Sequence, residues 1–329
     1  MIEDTKLSLN FRLHRDEDLP ELQSLWLDNT DWGGLTPDLW RKHIIEAPLG
    51  GASILVATDS KSGRIVGEFA FMPSRVRVKG REVSAFRPAA PIVARGYRFF
   101  GVNPLNHPAI AMYTNAVEAL RDRGEGLVYM VPDPRWTRLI QMFPNLIVGS
   151  FPLFSRPLPL SSPMAMDAGY DAGPVELTDS RVDELWQKSA AIHGTSIVRD
   201  TRSLPWKIGK GEDHVLGLER GGELVGIVAC RQKGDRQWLV TDLLFADAEA
   251  SLRNLLIAAA NLGHEHALST TEKPIAKVAV LATSPMHATV KCLGFARDRY
   301  DFPLVVQVLD QTIDKRDVAT EQWFVSAND

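Results

Sequence analysis

Residues 7–13, LSLNFRL, alternate apolar and polar positions, the period of a half-buried strand. The period then lengthens. Leu19, Leu22, Leu25 and Trp26 recur at helical spacing behind an acidic start that suits the positive end of the helix dipole. Thr36 and Pro37 open a second helix as N-cap and first-turn proline, and Pro48 stops it. SILVAT predicts a strand. GRIVGEFAF, Gly63 to Phe71, begins a longer one, and MPSRVRVKGREVSAFRPAAPIVA carries it through a hairpin at Lys79-Gly80. Ile110, Tyr113, Val117 and Leu120 give a helix one apolar face, and Gly124 ends it. GLVYMV predicts a strand, PRWTRLIQMF a short helix, and LIVGSFPLFSRPL a closing strand pair.

The same order then returns. DSRVDELWQKSAA is an acidic-start helix, HVLGLE a strand, and GELVGIVACRQK with RQWLVTDLLFAD a long hairpin. Leu252, Leu255, Leu256 and Ala259 line one face of the next helix; AKVAVLAT is a strand, HATVKCLGF a short helix and FPLVVQVL a final strand. GELVGIVAC, Gly222 to Cys230, repeats GRIVGEFAF in its glycine, charged residue, branched aliphatic, valine and glycine. The chain therefore reads as two copies of one α/β unit, each a mixed, mostly antiparallel sheet flanked by helices. The expected boundaries are a first unit over 1–158, a linker over 159–174 where Pro, Ser and Gly gather, and a second unit over 175–329.

A length of 329 residues suits two such units. The net charge of −4 supplies no basic field for a nucleic-acid partner. MIEDTKLSLNFRL has neither the basic nor the apolar region of a signal peptide, and no apolar run is long enough to span a membrane, so a cytoplasmic location is expected. Cys230 and Cys292 sit among Val, Ala and Leu without CxxC spacing and read as small core residues in a reducing compartment. The histidines are scattered, with no HxH or HExxH, so no metal site is expected.

The order of elements resembles the GCN5-related N-acetyltransferase superfamily in a tandem form. The resemblance rests on the VGEFAF strand, the hairpin SRVRVKGREVSAFRPAAPIVA, the helix AIAMYTNAVEAL and the segment LVYMVPDPRWTRLIQMF, with KVAVLATSPMHATVKCLGF as its second-unit counterpart. SIVRDTRSLPWKI and EQWFVSAND resemble segments of tandem members, and together these cover nearly the whole chain. The resemblance implies an N-acyltransferase that moves an acyl group from acetyl-CoA or another acyl-CoA to an amine of a small molecule or cell-envelope precursor. It also implies where the donor lies. The family holds the CoA pyrophosphate on backbone N–H groups of a glycine turn at a helix start. That region here reads PIVARGYRFFGVNPLNHPAI and offers Ile92, Val93, Ala94, Arg95, Gly96, Asn103 and Asn106, with a longer turn than the family's. The second unit reads LLFADAEASLRNLL, has no glycine there, and places Asp247 and Glu249 where phosphate would bind. The first unit is therefore expected to hold the donor and the second to shape the pocket. Two other readings fit the unusual turns. One is a transferase using aminoacyl-tRNA or an acyl-carrier protein, as Fem-type tandem members use tRNA. The other is a scaffold of the same shape without catalysis.

Acyl transfer to an amine needs a proton acceptor, an acid for the leaving group and donors for the oxyanion. Asp242 is an acid within the apolar run WLVTDLLF; burial would raise its pKa into the useful range, and a hydrogen-bonded structural role is its alternative. Glu68 holds a corresponding place in the first hairpin, with a solvent-facing position as its alternative. Tyr113 and Tyr129 flank the expected donor site and are candidates to protonate a departing thiolate, a role the resemblance implies for a tyrosine. Arg199 and Asp200, followed by Trp206, form a candidate clamp for a substrate carboxylate or phosphate, and Arg87 is a second candidate anion ligand because a charge in that apolar run needs a partner.

Overall fold

A computed structural model describes residues 8–30, 36–98, 107–132, 146–208, 213–234, 236–269 and 274–329. Strands β1 (Leu9–Leu13), β2 (Ser53–Asp59), β3 (Ile65–Val78) and β4 (Arg81–Val93) form an antiparallel run. Lys79 and Gly80 take φ of 47° and 84° at the β3–β4 turn. Positive φ at both central residues gives the turn a twist that matches the strands it joins. Helix α1 (Leu19–Asn29) and the short α2 (Pro37–Trp40), which continues as a wider turn over Arg41–Ile45, lie between β1 and β2. Helix α3 (Pro108–Asp122) follows β4, and β5 (Leu127–Met130) returns parallel to it. The expected helix PRWTRLIQMF falls outside the described residues.

The second half contains β7 (Tyr170–Gly173), α4 (Arg181–Ile192), β8 (Thr195–Ile197), α5 (Leu204–Ile208), β9 (His214–Arg220), β10 (Glu223–Lys233), β11 (Gln237–Phe245), α6 (Ala250–Ser269), β12 (Lys277–Leu281), α7 (His287–Cys292), β13 (Ala296–Val308) and β14 (Trp323–Phe324). LIVGSFPLFSRPL forms one long strand, β6 (Ile147–Pro157), where a strand pair was expected. The stretch 159–174, expected as linker, contributes β7, which pairs with β9.

One mixed sheet runs through both halves in the order β1-β2-β3-β4-β5-β13-β6-β12-β11-β10-β9-β7. The two halves exchange a strand each, β6 and β13. β13 from the second half pairs with β5 of the first, and β6 from the first half pairs with β12 of the second, while β6 and β13 pair with each other. β8 pairs with β3 at Val76–Val78, beyond the stretch that β2 covers, and β14 pairs with β8.

Side-chain alternation divides the first-half strands into two buried faces. Phe69, Phe71, Phe86 and Val128 pack on Met112, Tyr113 and Leu120 of α3. On the opposite face, Ile54, Val56, Ala70, Met72 and Ile92 meet Leu22, Leu25 and Trp40. Farther along that face, Val76, Val78, Leu127 and Tyr129 meet Ile197, Trp323 and Val325. In the second half, α6 packs on Val228, Trp238, Val240 and Phe245. α4 and α5 cover the other side at Leu224, Ile227 and Leu244. Each such side chain removed from water contributes roughly 1.5–3 kcal/mol. Gly226 lets α6 come close, since a Cβ there would lie 2.7 Å from Leu255 Cδ1. Cys230 is buried as expected of a core residue, but Cys292 is exposed at the end of α7.

Candidate active site

β4 and β5 pair only at Ala85–Leu127 and Phe86–Val128. One residue farther on, at Arg87 and Tyr129, the parallel strands part. Both side chains leave the face opposite α3, where the α1 layer ends and the β8–β14 layer begins. The gap between those layers is a cavity of about 310 Å³ lined by Ser74, Arg75, Arg87 and Tyr129 from the first half. Trp206, Lys207, Arg231 and Asp329 close it from the second. Tyr129 is buried against Trp323, with ring centroids 5.8 Å apart, and its hydroxyl lies 2.9 Å from Ser74 Oγ. Burial pushes the phenol up to about 12, so it is a proton donor across the physiological range.

A buried ionic network lies behind the cavity and reaches its lining at Lys207 and Asp329. Arg199 Nε donates to Asp242 Oδ1 at 2.8 Å, its Nη1 to the Ile197 carbonyl at 2.9 Å, and its Nη2 to Ser326 Oγ and to Asp329. Ser326 Oγ in turn donates to Asp242 Oδ1 at 2.8 Å. Lys207 Nζ lies 2.7 Å from Asp242 Oδ2 and also pairs with Asp329. Burial alone would raise Asp242, but the charges of Arg199 and Lys207 outweigh it and hold the carboxyl well below the usual range. The expected upward shift is therefore corrected: Asp242 is a fixed anion tied to two cations. Asp329 lies between Arg199 and Lys207, and Arg87 Nη1 donates to its main-chain oxygen at 2.9 Å. Asn328 N donates to the Thr241 carbonyl at 3.0 Å, so residues 326–329 run beside β11 and wall the cavity.

The other expected residues spread more widely. Asp200 pairs with Arg75 and accepts from Ser203 N at 2.9 Å, which fixes the start of α5 at the rim. Trp206 lines the cavity. Glu68 faces α1 rather than solvent. It is buried, Trp26 Nε1 donates to its Oε1, and its Oε2 has no hydrogen-bond partner. Burial, opposed only by the indole, pushes this carboxyl up to about 8. Glu68 shares a strand face with Met72 and Ser74 but does not line the cavity. Tyr113 sits under the other face, its hydroxyl donating to Gln307 Oε1 at 2.8 Å, with burial holding the phenol above its ordinary range.

At the far end of β4, Ile92 and Val93 are buried, Ala94 N donates to Val66 O at 2.8 Å, and Arg95 N to Asn29 Oδ1 at 3.0 Å. Arg95 and Gly96 are exposed; Asn103 and Asn106 lie outside the described residues. His107 Nδ1 accepts from Ala109 N at 3.1 Å, and its carbonyl takes Ile110 N and Ala111 N, so the chain itself caps the start of α3. Asp247 does the same for α6, accepting from the backbone N of Glu249, Ala250 and Ser251. Its carboxylate occupies the position a phosphate would need, in line with the acidic sequence there.

Sequence reasoning missed Ser326, Asp329, Arg75 and Arg231. Arg75 and Arg231 carried the signal that marked Arg87, a charge within a long hairpin strand. Ser326 and Asp329 lie in EQWFVSAND, whose resemblance to tandem members marked the segment but gave neither residue a role, because their partners lie far off in sequence.

The class these features define is a fold: the chain has the GCN5-related N-acetyltransferase fold, a mixed sheet flanked by helices whose parallel strands splay at its centre. No protein-family model matches the sequence, and no curated protein matches it. Crystal structures of GCN5-related N-acetyltransferases from Anabaena variabilis and Kribbella flavida are similar, with TM-scores of 0.67 and 0.65 and identities of 14% and 15%. Each covers 92% of this chain, and 73% and 71% of those chains respectively are covered. Saccharomyces cerevisiae N-myristoyltransferase with bound myristoyl-CoA is similar at TM-score 0.58 and 10% identity, over 92% of this chain and 80% of that one. Among the described residues, no helix is long and apolar enough to cross a membrane, and no group of three or more His, Cys, Asp or Glu could hold a metal ion.

Proposed function

We propose that the protein is an N-acyltransferase that moves an acyl group from acyl-CoA to an amine held in the Arg87–Tyr129 cavity, its two halves acting as tandem units of one enzyme. The observation that carries this reading is the cavity itself. It opens where β4 and β5 stop pairing, the point at which backbone groups turn from each other toward a bound carbonyl. In this reading the amine nitrogen attacks the thioester carbonyl carbon and the C–S bond breaks. Tyr129, a neutral phenol beside Ser74, supplies a proton to the departing sulfur, and the proton shed by the amine nitrogen returns to the Tyr129 oxygen by way of the Ser74 hydroxyl 2.9 Å away. Arg95 and Arg98 are described cations at the donor end. The similar yeast structure holds myristoyl-CoA, which supports an acyl-CoA donor in the same fold.

The self-capped starts of α3 and α6 favour one second reading, in which the acyl group arrives on a carrier rather than on CoA. A thermal-shift series with acetyl-CoA, longer acyl-CoAs and free CoA separates the two. An acyl-CoA at 100 times its Kd stabilises the fold by roughly 2.7 kcal/mol, and absence of any shift overturns the acyl-CoA reading.

A further inference from the structure

We infer that the acceptor carries a carboxylate as well as an amine, and that Arg87 is the residue that takes it. This rests on the reading of the cavity as the acceptor site. Arg87 uses one of its donors on the Asp329 main-chain oxygen, and no described residue accepts from its Nε or Nη2. The planar edge of that guanidinium is presented to the cavity one residue beyond the last β4–β5 pair. Arg75, on the neighbouring strand and lining the same cavity, has a buried Nε with no hydrogen-bond partner. A planar fork of N–H donors matches a carboxylate through paired bonds.

The charge balance selects the size of the anion. Arg75 is paired with Asp200 and Glu82, Arg199 and Lys207 with Asp242 and Asp329, and Arg231 with Asp213, whereas among the described residues no carboxylate side chain pairs with Arg87. Glu82, which also approaches Arg75, stands on the exposed rim. One monoanion therefore matches the one cation without a carboxylate side-chain partner, whereas a phosphate dianion adds excess negative charge beside the fixed charge of Asp329. A cavity of about 310 Å³ accommodates an amino acid or a short peptide end. With its carboxylate on Arg87, such a ligand places its amine toward Ser74 and Tyr129, at the splay.

The test is direct binding by calorimetry to the full chain, without any acyl donor. The probes are the common amino acids, their carboxamides, their decarboxylated amines and O-phosphoethanolamine. At least one amino acid binds, its carboxamide and amine bind roughly 10- to 100-fold more weakly, and Arg87→Gln removes that preference. Arg87→Lys, which keeps the charge and loses the fork, falls between. Equal binding of amino acids and amines, tighter binding of the phosphate probe, or no binding by any amino acid overturns the inference, and each is read on the wild-type chain whether or not the variants fold. Amino-acid binding without any acyl-CoA shift leaves the inference standing and removes only the acyl-CoA reading.

Discussion

Arg199 and Asp242 meet across 43 residues of chain, Nε to Oδ1 at 2.8 Å, with both side chains shut away from solvent. Asp329 and Lys207 complete the set, so each cation touches both anions. Removing one member strands a buried charge. Arg199→Met is expected to cost roughly 3–5 kcal/mol, measured by urea denaturation. Arg199→Met with Asp242→Leu removes one charge of each sign and leaves the Lys207–Asp329 pair, so the double variant should be clearly more stable than the two single losses added together.

The same network sets an acid limit. Asp242 has a lowered pKa, so its contribution is complete above the ordinary carboxylate range and is lost as pH falls through its folded value. Asp242→Asn should flatten the acid limb of a stability-against-pH curve.

Glu68 works in the opposite sense. Its folded value, raised to about 8, means that the folded state holds a proton the unfolded state has released. Stability is full below the unfolded value and declines, by about 1.4 kcal/mol per pH unit, until pH passes the folded value. Glu68→Gln should match the wild type near pH 5 and exceed it in denaturant midpoint near pH 9. Equal midpoints at both pH values would show that burial does not govern this carboxyl.

Tyr129→Phe removes a proton donor and leaves the Trp323 contact in place. On the acyltransferase reading kcat should fall by roughly 10²–10⁴, with KM for the acyl donor little changed. Steady-state thiol release reads both constants, and an unchanged kcat would assign Tyr129 to packing.

Asp247 is the cap of α6 rather than a neighbour of substrate. Asp247→Ala should lower stability by about 0.5–2 kcal/mol in thermal unfolding and leave any acyl-CoA shift where it was. A gain of acyl-CoA binding on that substitution would mean that the carboxylate had been holding a second donor site closed.

Local signals were legible wherever neighbours in sequence are neighbours in space. Lys79-Gly80 announced its turn, and Ile110, Tyr113, Val117 and Leu120 announced the buried side of α3. Partners were not legible. LIVGSFPLFSRPL is apolar enough to be strand anywhere in a sheet, and nothing in it says that its neighbours are residues 277–281 and 296–306. Glu68 and Asp242 look alike in sequence, each an acid among aliphatics. One met an indole and the other a guanidinium and an ammonium, so their acidities moved in opposite directions. Arg87 could be picked out as a charge needing a partner, but not its position at the strand splay.

The exchanged strands govern when this protein can exist during its own synthesis. β5 lacks a neighbour on one edge, and β6 on both, until residues 277–308 have left the ribosome. The first half of the nascent chain therefore waits with open strand edges, the kind of surface that recruits chaperones or aggregates. A transcript truncated before Ala296 would encode no freestanding folded half, and separately expressed halves would reach a stable sheet only by finding each other.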